Sequence, residues 1–131
     1  MYQWNSMSDK ERLWNRFVDL ACNVWDDTAL NETQSNALQC LLYAEEVNNG
    51  GHGQYLDAFV NDPERIAAAL TAVGGSHFAE NYLRAVREGE ADDWAATDEA
   101  FYAFSPSLED CLENYVEAHQ DAIFEGWEDE E

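Results

Sequence analysis

The chain has 131 residues, 46% of them hydrophobic, with 5 Trp, 6 Tyr and 6 Phe. That length fits one domain, and the apolar content excludes a generally disordered chain. Against 28 Asp and Glu stand only 6 Lys and Arg, for a formal net charge of -22, which argues against direct binding to DNA, RNA or an anionic membrane.

The helix signals follow one another along the chain. Ser8 and Glu11 form a capping box ahead of Leu13, Phe17, Leu20, Ala21 and Val24, which recur at helical spacing to about Trp25. A second helix is predicted from Asn31 or Thr33, carrying Ala37, Leu38, Leu41, Leu42, Ala44 and Val47, and stopping at Asn48-Asn49-Gly50-Gly51. A short third follows with Tyr55, Leu56, Phe59 and Val60. Asp62-Pro63 restarts the chain as cap and first helical residue. Ile66, Leu70 and Val73 then face inward until Gly74-Gly75 ends that helix. Ser76 and Glu80 read as another capping box, for a helix with Phe78, Tyr82, Leu83 and Val86. Residues 89–106 are less regular, with a short helix from Asp98 through Phe104. Ser107 caps the last long helix, which Gly126 closes. No run alternates as a strand would.

This pattern predicts an all-α fold, a single compact domain of about six or seven helices over residues 1–127. The acidic tail at residues 128–131 is expected to be solvated. Leu41, Phe59, Leu70, Leu83, Leu112 and Tyr115 are the expected core. Cys22, Cys40 and Cys111 are odd in number and form no C-x-x-C pair, so neither a disulfide framework nor a zinc knuckle is expected. Each reads as a small buried thiol. The first residues carry no basic region, and no apolar run reaches the length of a signal core or a membrane span. A cytoplasmic setting is the expectation.

The charge is concentrated. All six basic residues lie at or before Arg87, and sixteen acidic residues follow without a Lys or Arg. In the last helix, Leu108, Cys111, Leu112, Tyr115, Val116, His119 and Ile123 fall within an arc of about 140°. Glu109, Glu113, Glu117, Asp121 and Glu125 follow at i, i+4 across the opposite face, joined by Asp110, as a spiral band. Four like-charged pairs at that spacing cost on the order of 1–2 kcal/mol of helix stability. Two readings of the band are open: a solvated face, or a functional surface. Duplex DNA presents about one charge per 1.7 Å of axis, so carboxylates on rigid helices can imitate a phosphate track coarsely.

Tyr43-Ala44-Glu45-Glu46-Val47-Asn48-Asn49-Gly50-Gly51-His52-Gly53-Gln54-Tyr55 resembles the signature of a bacterial domain-of-unknown-function family. In that family an E-V-x-N-G-G-x-x-Q-[YF] stretch joins two helices, here Glu46, Asn48, Asn49, Gly50, Gly51, Gln54 and Tyr55. The family includes an acidic all-α DNA mimic that binds a DNA-binding transcription factor, and the resemblance implies no enzymatic activity. Read physically, the stretch is structural. Gly50 or Gly51 is expected at positive φ, with Asn48 and Gln54 satisfying backbone groups at the junction.

Catalytic patterns are otherwise absent. His52, His77 and His119 form no paired metal-ligand spacing on one helix face, and His119 reads as a core histidine. His52 with Glu46 and Gln54 is the remaining candidate for an active site. No catalytic residue, metal or cofactor is predicted. Two functions follow. The first is an acidic DNA mimic that occupies the DNA-binding surface of a basic partner, such as a transcription factor, through Glu109, Asp110, Glu113, Glu117, Asp121, Glu125, Asp92 and Asp93. The second is a small-ligand protein or enzyme centred on Asn48–Tyr55. Trp94 and Trp127, set among acids, are candidate anchors for a basic partner. Monomer and dimer are both open.

Overall fold

Side-chain caps place three of the helix starts in the computed structural model, which describes residues 9–59 and 62–126. Asn31 accepts from the Gln34 N–H while the Gln34 side chain accepts from the Asn31 N–H, and this box opens helix α2 (Glu32–Ala58). Asp62 caps α3 (Pro63–Val73) through the Glu64 N–H, with Pro63 in the first turn. Ser107 caps α6 (Leu108–Ala118) through the Asp110 N–H. The other helices are α1 (Asp9–Asn23), α4 (Ser76–Glu88), α5 (Ala95–Ala103) and the single turn α7 (Gln120–Ile123). Two 3-10 turns, Asp27–Ala29 and Gly89–Asp92, complete the described residues, which contain no strand. The fold is an all-α single domain. No helix is long and apolar enough to cross a membrane, among the described residues.

Helix α2 is the spine, with α3, α4, α5, α6 and α7 all packed along it. Tyr43 lies at its centre, fully buried. The rings of Tyr55, Tyr82 and Phe101 stand edge-on around Tyr43 at centroid distances of 5.0, 5.6 and 5.6 Å. Phe17, Leu41, Leu70, Phe78, Leu112 and Ile123 extend this core, and Phe59, Leu83 and Tyr115 pack on it partly buried.

Several expectations are corrected. The stop expected at Asn48–Gly51 is there as a kink at Gly51 (φ 83, ψ 179), across which the second and third helices follow each other so directly that α2 is numbered as one element. Gly75, at φ 117, takes the cap position before α4, so Ser76 is already helical and no side chain caps that end. The last helix breaks at His119 (φ -119, ψ 30). Beyond the break, Asn31 bonds the Ala122 carbonyl and Gln34 bonds that of Ile123, at 3.0 and 2.9 Å, which fastens α7 to the start of α2. His119 is exposed, with its ring against Tyr115 at 4.2 Å, so it is no core histidine. Cys40 is buried as expected, but Cys22 is exposed and Cys111 only partly covered. The Ser8 cap, Val60, Trp127 and the acidic tail fall outside the described residues.

Gly51 is the position the fold leaves least free. Its backbone lies in a region open essentially to glycine alone, and an added Cβ would stand 2.4 Å from Asp98 Oδ2. Gly51→Ala is expected to cost about 2–4 kcal/mol, combining backbone strain with displacement of Asp98. Gly126→Ala is the control, since Gly126 has similar φ (85) and open space around the added carbon. Urea denaturation should show the Gly51 variant losing clearly more stability; equal losses would mean that Asp98 yields freely.

Candidate functional site

The glycine-rich stretch of α2 leaves room for three side chains, two of them from elsewhere in the fold. A Cβ at Gly50 would overlap the Gln54 side chain, one at Gly51 the Asp98 carboxylate, and one at Gly53 the Trp94 indole at 3.0 Å. Asn49 is exposed in the last turn before the kink. Tyr55, one turn beyond it, is buried against Tyr43.

His52 follows the kink directly and is fully buried. Asp98 Oδ1 accepts from both its backbone N–H, at 2.8 Å, and its ring Nδ1, at 2.7 Å. A carboxylate only accepts, so Nδ1 carries the proton, and Nε2 of the neutral ring accepts from the Tyr43 hydroxyl. Burial holds the imidazole below the ordinary histidine value, and the hydrogen bond and charge of Asp98 only partly offset this. Burial likewise pushes the Tyr43 hydroxyl far up, so it keeps its proton. The arrangement is Asp98–His52–Tyr43, running from a partly exposed carboxylate into the core.

This changes the predicted site. Glu46 and Gln54 do not join His52. They bond each other across the kink, Gln54 Nε2 to Glu46 Oε1 at 2.7 Å. Asn48 bonds no backbone group but donates to Glu109 Oε2 at 2.7 Å, tying α2 to α6. With both ring nitrogens committed, His52 offers no acid or base at the surface. Sequence reasoning missed Asp98 and Tyr43, which stand 46 and 9 residues from His52. Asp98 carried no local signal beyond its place in a predicted helix.

Trp94 has a slot of its own. It lies between Gly53 and Gly89, where either added Cβ would collide with the indole, and its Nε1 donates to the Ala85 carbonyl at 3.0 Å. Both Asp93 and Trp94 take left-handed backbone, at φ 58 and 63. Trp94 walls an open groove of about 800 Å³ with Gly50, Gly53, Gln54, Leu56, Asp57, Asp93 and Asp98.

The predicted acidic band divides by environment. Asp110, Glu117, Asp121, Glu125 and, beside the groove, Asp92 and Asp93 are exposed, while Glu109 and Glu113 are partly covered. Three of these carboxylates have structural tasks. Glu109 takes the Asn48 bond, Glu125 accepts from Asn31 at 2.8 Å, and Asp92 accepts from the Ala96 N–H at 3.0 Å. Burial raises the Glu109 carboxyl, and the charges of Asp110, Glu45 and Glu113 add to this, so α2 contributes Glu45 to the same negative patch. The break at His119 ends the spiral after Glu117, and Asp121 continues it from a separate turn. Glu117 also borders a groove of about 590 Å³ with Arg12 and Arg16 of α1, where the band meets positive charge.

A family model described as DMP19-like protein matches residues 28–119, a stretch that contains the α2 kink, Asp98 and all of α6. No curated protein and no solved structure matches the chain.

The buried histidine sets a pH dependence. His52 should titrate below the ordinary value of about 6.5, and Asp98→Asn should lower it further by removing the carboxylate charge. As pH falls below 6.5 the unfolded chain binds the proton first. The stabilisation from neutral His52 is therefore complete at neutral pH and declines as pH falls towards the folded value. Ring chemical shifts in NMR check the first statement. Unfolding of wild type and His52→Gln between pH 7 and 5 checks the second, with the gap expected to narrow as pH falls.

Proposed function

The chain belongs to the DMP19-like protein family, and from that premise we propose that it is an acidic binding protein acting as a DNA mimic. It occupies the DNA-binding surface of a basic partner such as a transcription factor. The observation that carries this reading is a large excess of negative charge on a rigid scaffold. No Lys or Arg follows Arg87 while sixteen acids do, and Asp110, Glu117 and Asp121 stand exposed on their helices. Arg65 bonds Ser35 and Asn36 away from the band, while α1 brings Lys10 to Asn114 and Arg12 and Arg16 to the groove beside Glu117, so the band has cations along its α1 border.

Rigidity matters as much as charge. A floppy acidic segment loses affinity to the cost of ordering it on binding. Here the carboxylates stand on helices fixed to the core by Leu108, Leu112, Val116 and Ile123, and the Asn48–Glu109 bond sets α6 against α2. The Lys and Arg side chains that a DNA-binding protein aims at phosphates meet carboxylates already in place.

The competing reading, a ligand or enzyme site at Asn48–Tyr55, loses its histidine, because His52 is enclosed between Asp98 and Tyr43. The test of the mimic is displacement. Basic proteins retained by the immobilised chain and released in a salt gradient are loaded with labelled duplex DNA, then titrated with wild type and with Glu113→Lys/Glu117→Lys/Asp121→Lys. Wild type is expected to displace the DNA, less well as salt shortens the screening length from about 10 Å at 0.1 M. The triple variant should fold and displace little. Equal displacement by both, or none by wild type, would leave the face a solubilising surface.

A further inference from the structure

Resting on the mimic reading, we propose that the groove at the α2 kink is the anchor site for an arginine side chain of the basic partner. The guanidinium packs against the Trp94 indole and is bonded by the carboxylates of Asp57, Asp93 and Asp98. Four observations lead there.

The groove is open and, at about 800 Å³, roomy enough to admit a long side chain, and its lining includes three aspartates and no Lys or Arg. These aspartates come from separate places: Asp57 beyond the kink of α2, Asp93 at the left-handed turn and Asp98 in α5. Their spread bears on the ligand. No group of His, Cys, Asp and Glu among the described residues closes tightly enough to hold a metal ion. A guanidinium is planar and carries five donors, so it can serve acceptors on several sides, which a compact ammonium or a metal ion does less well.

Asp98 has an oxygen to spare. Its Oδ1 takes both bonds from His52, whereas Oδ2 takes no hydrogen bond among the described residues. The carboxylate is therefore held by the core with one oxygen left over, in a side chain still 25% exposed.

Trp94 is fixed beforehand. The Gly53–Gly89 slot and the bond to Ala85 hold the ring, so binding requires little ordering of this wall. An indole is the best aromatic partner for a cation, and arginine stacks on it more readily than lysine.

A partner protein is the source the charge favours. DNA-binding surfaces are rich in arginine, and Asp93 belongs both to the groove and to the acidic surface that the partner meets. Asn48, in the turn just before the groove, is bonded to Glu109 of α6. An arginine seated in this hollow anchors the complex, and the open acidic face supplies steering.

The test uses the full chain and N-acetyl-arginine amide, a probe too small to bridge the whole acidic face, with N-acetyl-lysine amide as comparison. NMR titration should show saturable shifts at the Trp94 indole N–H and the Gly50 and Gly53 amides with the arginine probe. The lysine probe should bind several-fold more weakly. Asp57→Asn/Asp93→Asn should abolish the shifts; asparagine keeps the size of both side chains and tolerates the left-handed backbone at 93. Glu113→Gln/Glu117→Gln/Asp121→Gln should keep them. Equal response to both probes, or shifts unchanged in the Asp57/Asp93 variant, overturns the site. In the displacement assay that variant should need about tenfold more protein to release DNA. Wild-type potency in the variant would overturn the anchor and leave the mimic reading standing. Failure of wild type to displace DNA would remove the mimic reading, and the anchor role in that complex with it, whatever the arginine titration shows.

Discussion

One carboxylate oxygen, Oδ1 of Asp98, holds the backbone N–H and the ring N–H of His52, and the rest of the structure depends on that double bond. A kink at Gly51 interrupts the α2 hydrogen-bond ladder in the middle of the core, where an unmet N–H costs about 1–3 kcal/mol. Asp98 meets that N–H from a different helix. It reaches the backbone only because residue 51 has no Cβ, and a Cβ there would stand 2.4 Å from its Oδ2. The bend in α2, the placement of α5 and the burial of His52 are thus one arrangement. The imidazole passes it inward to Tyr43, whose ring is the hub of the aromatic core.

The helices were legible in the sequence where a single residue type decides a terminus. Asp62-Pro63 and Ser107 cap as their local chemistry requires, and Asn31 closes its box with Gln34. Gly51 was legible too, as one of two adjacent glycines of which one had to take positive φ. What lay beyond sequence reasoning was the partner of each polar residue. Asn48 and Gln54 were expected to satisfy backbone at the junction, yet both bind carboxylates, Glu109 and Glu46. The acids of a strongly negative chain are its most abundant side-chain acceptors, and tertiary packing decides which of them comes within reach. The same holds for His52, whose partner is 46 residues away. Periodicity failed at His119 for a related reason. It marks a face of an unbroken helix, and α6 stops there so that the last carbonyls can reach Asn31 and Gln34.

Two electrostatic regimes coexist within one small domain. Inside, His52 and Tyr43 are bonded to each other, and burial keeps both neutral. Outside, carboxylates on α6 and α7 stand beside one another, with Arg12 and Arg16 of α1 bordering them at Glu117. The repulsion along such a helix, a few tenths of a kcal/mol per neighbouring pair, is small against the burial of Leu108, Leu112, Val116 and Ile123 on its other face. The apolar face therefore secures the helix against the repulsion on its charged side.

The glycine stretch connects these regimes. Its inner side accepts the Asp98–His52 pair, and its outer side, through Gly50 and Gly53, forms part of the groove. Asp98 belongs to both, with Oδ1 turned to the core and Oδ2 left over. A charge placed there is held by the same interaction that bends the spine. A surface aspartate on a solvated helix would have to be ordered when a cation arrives, and Asp98 is ordered already. The folding constraint at residue 51 thus pre-positions an acceptor at the surface, and in the proposed anchor site core stability and arginine recognition rest on the same carboxylate.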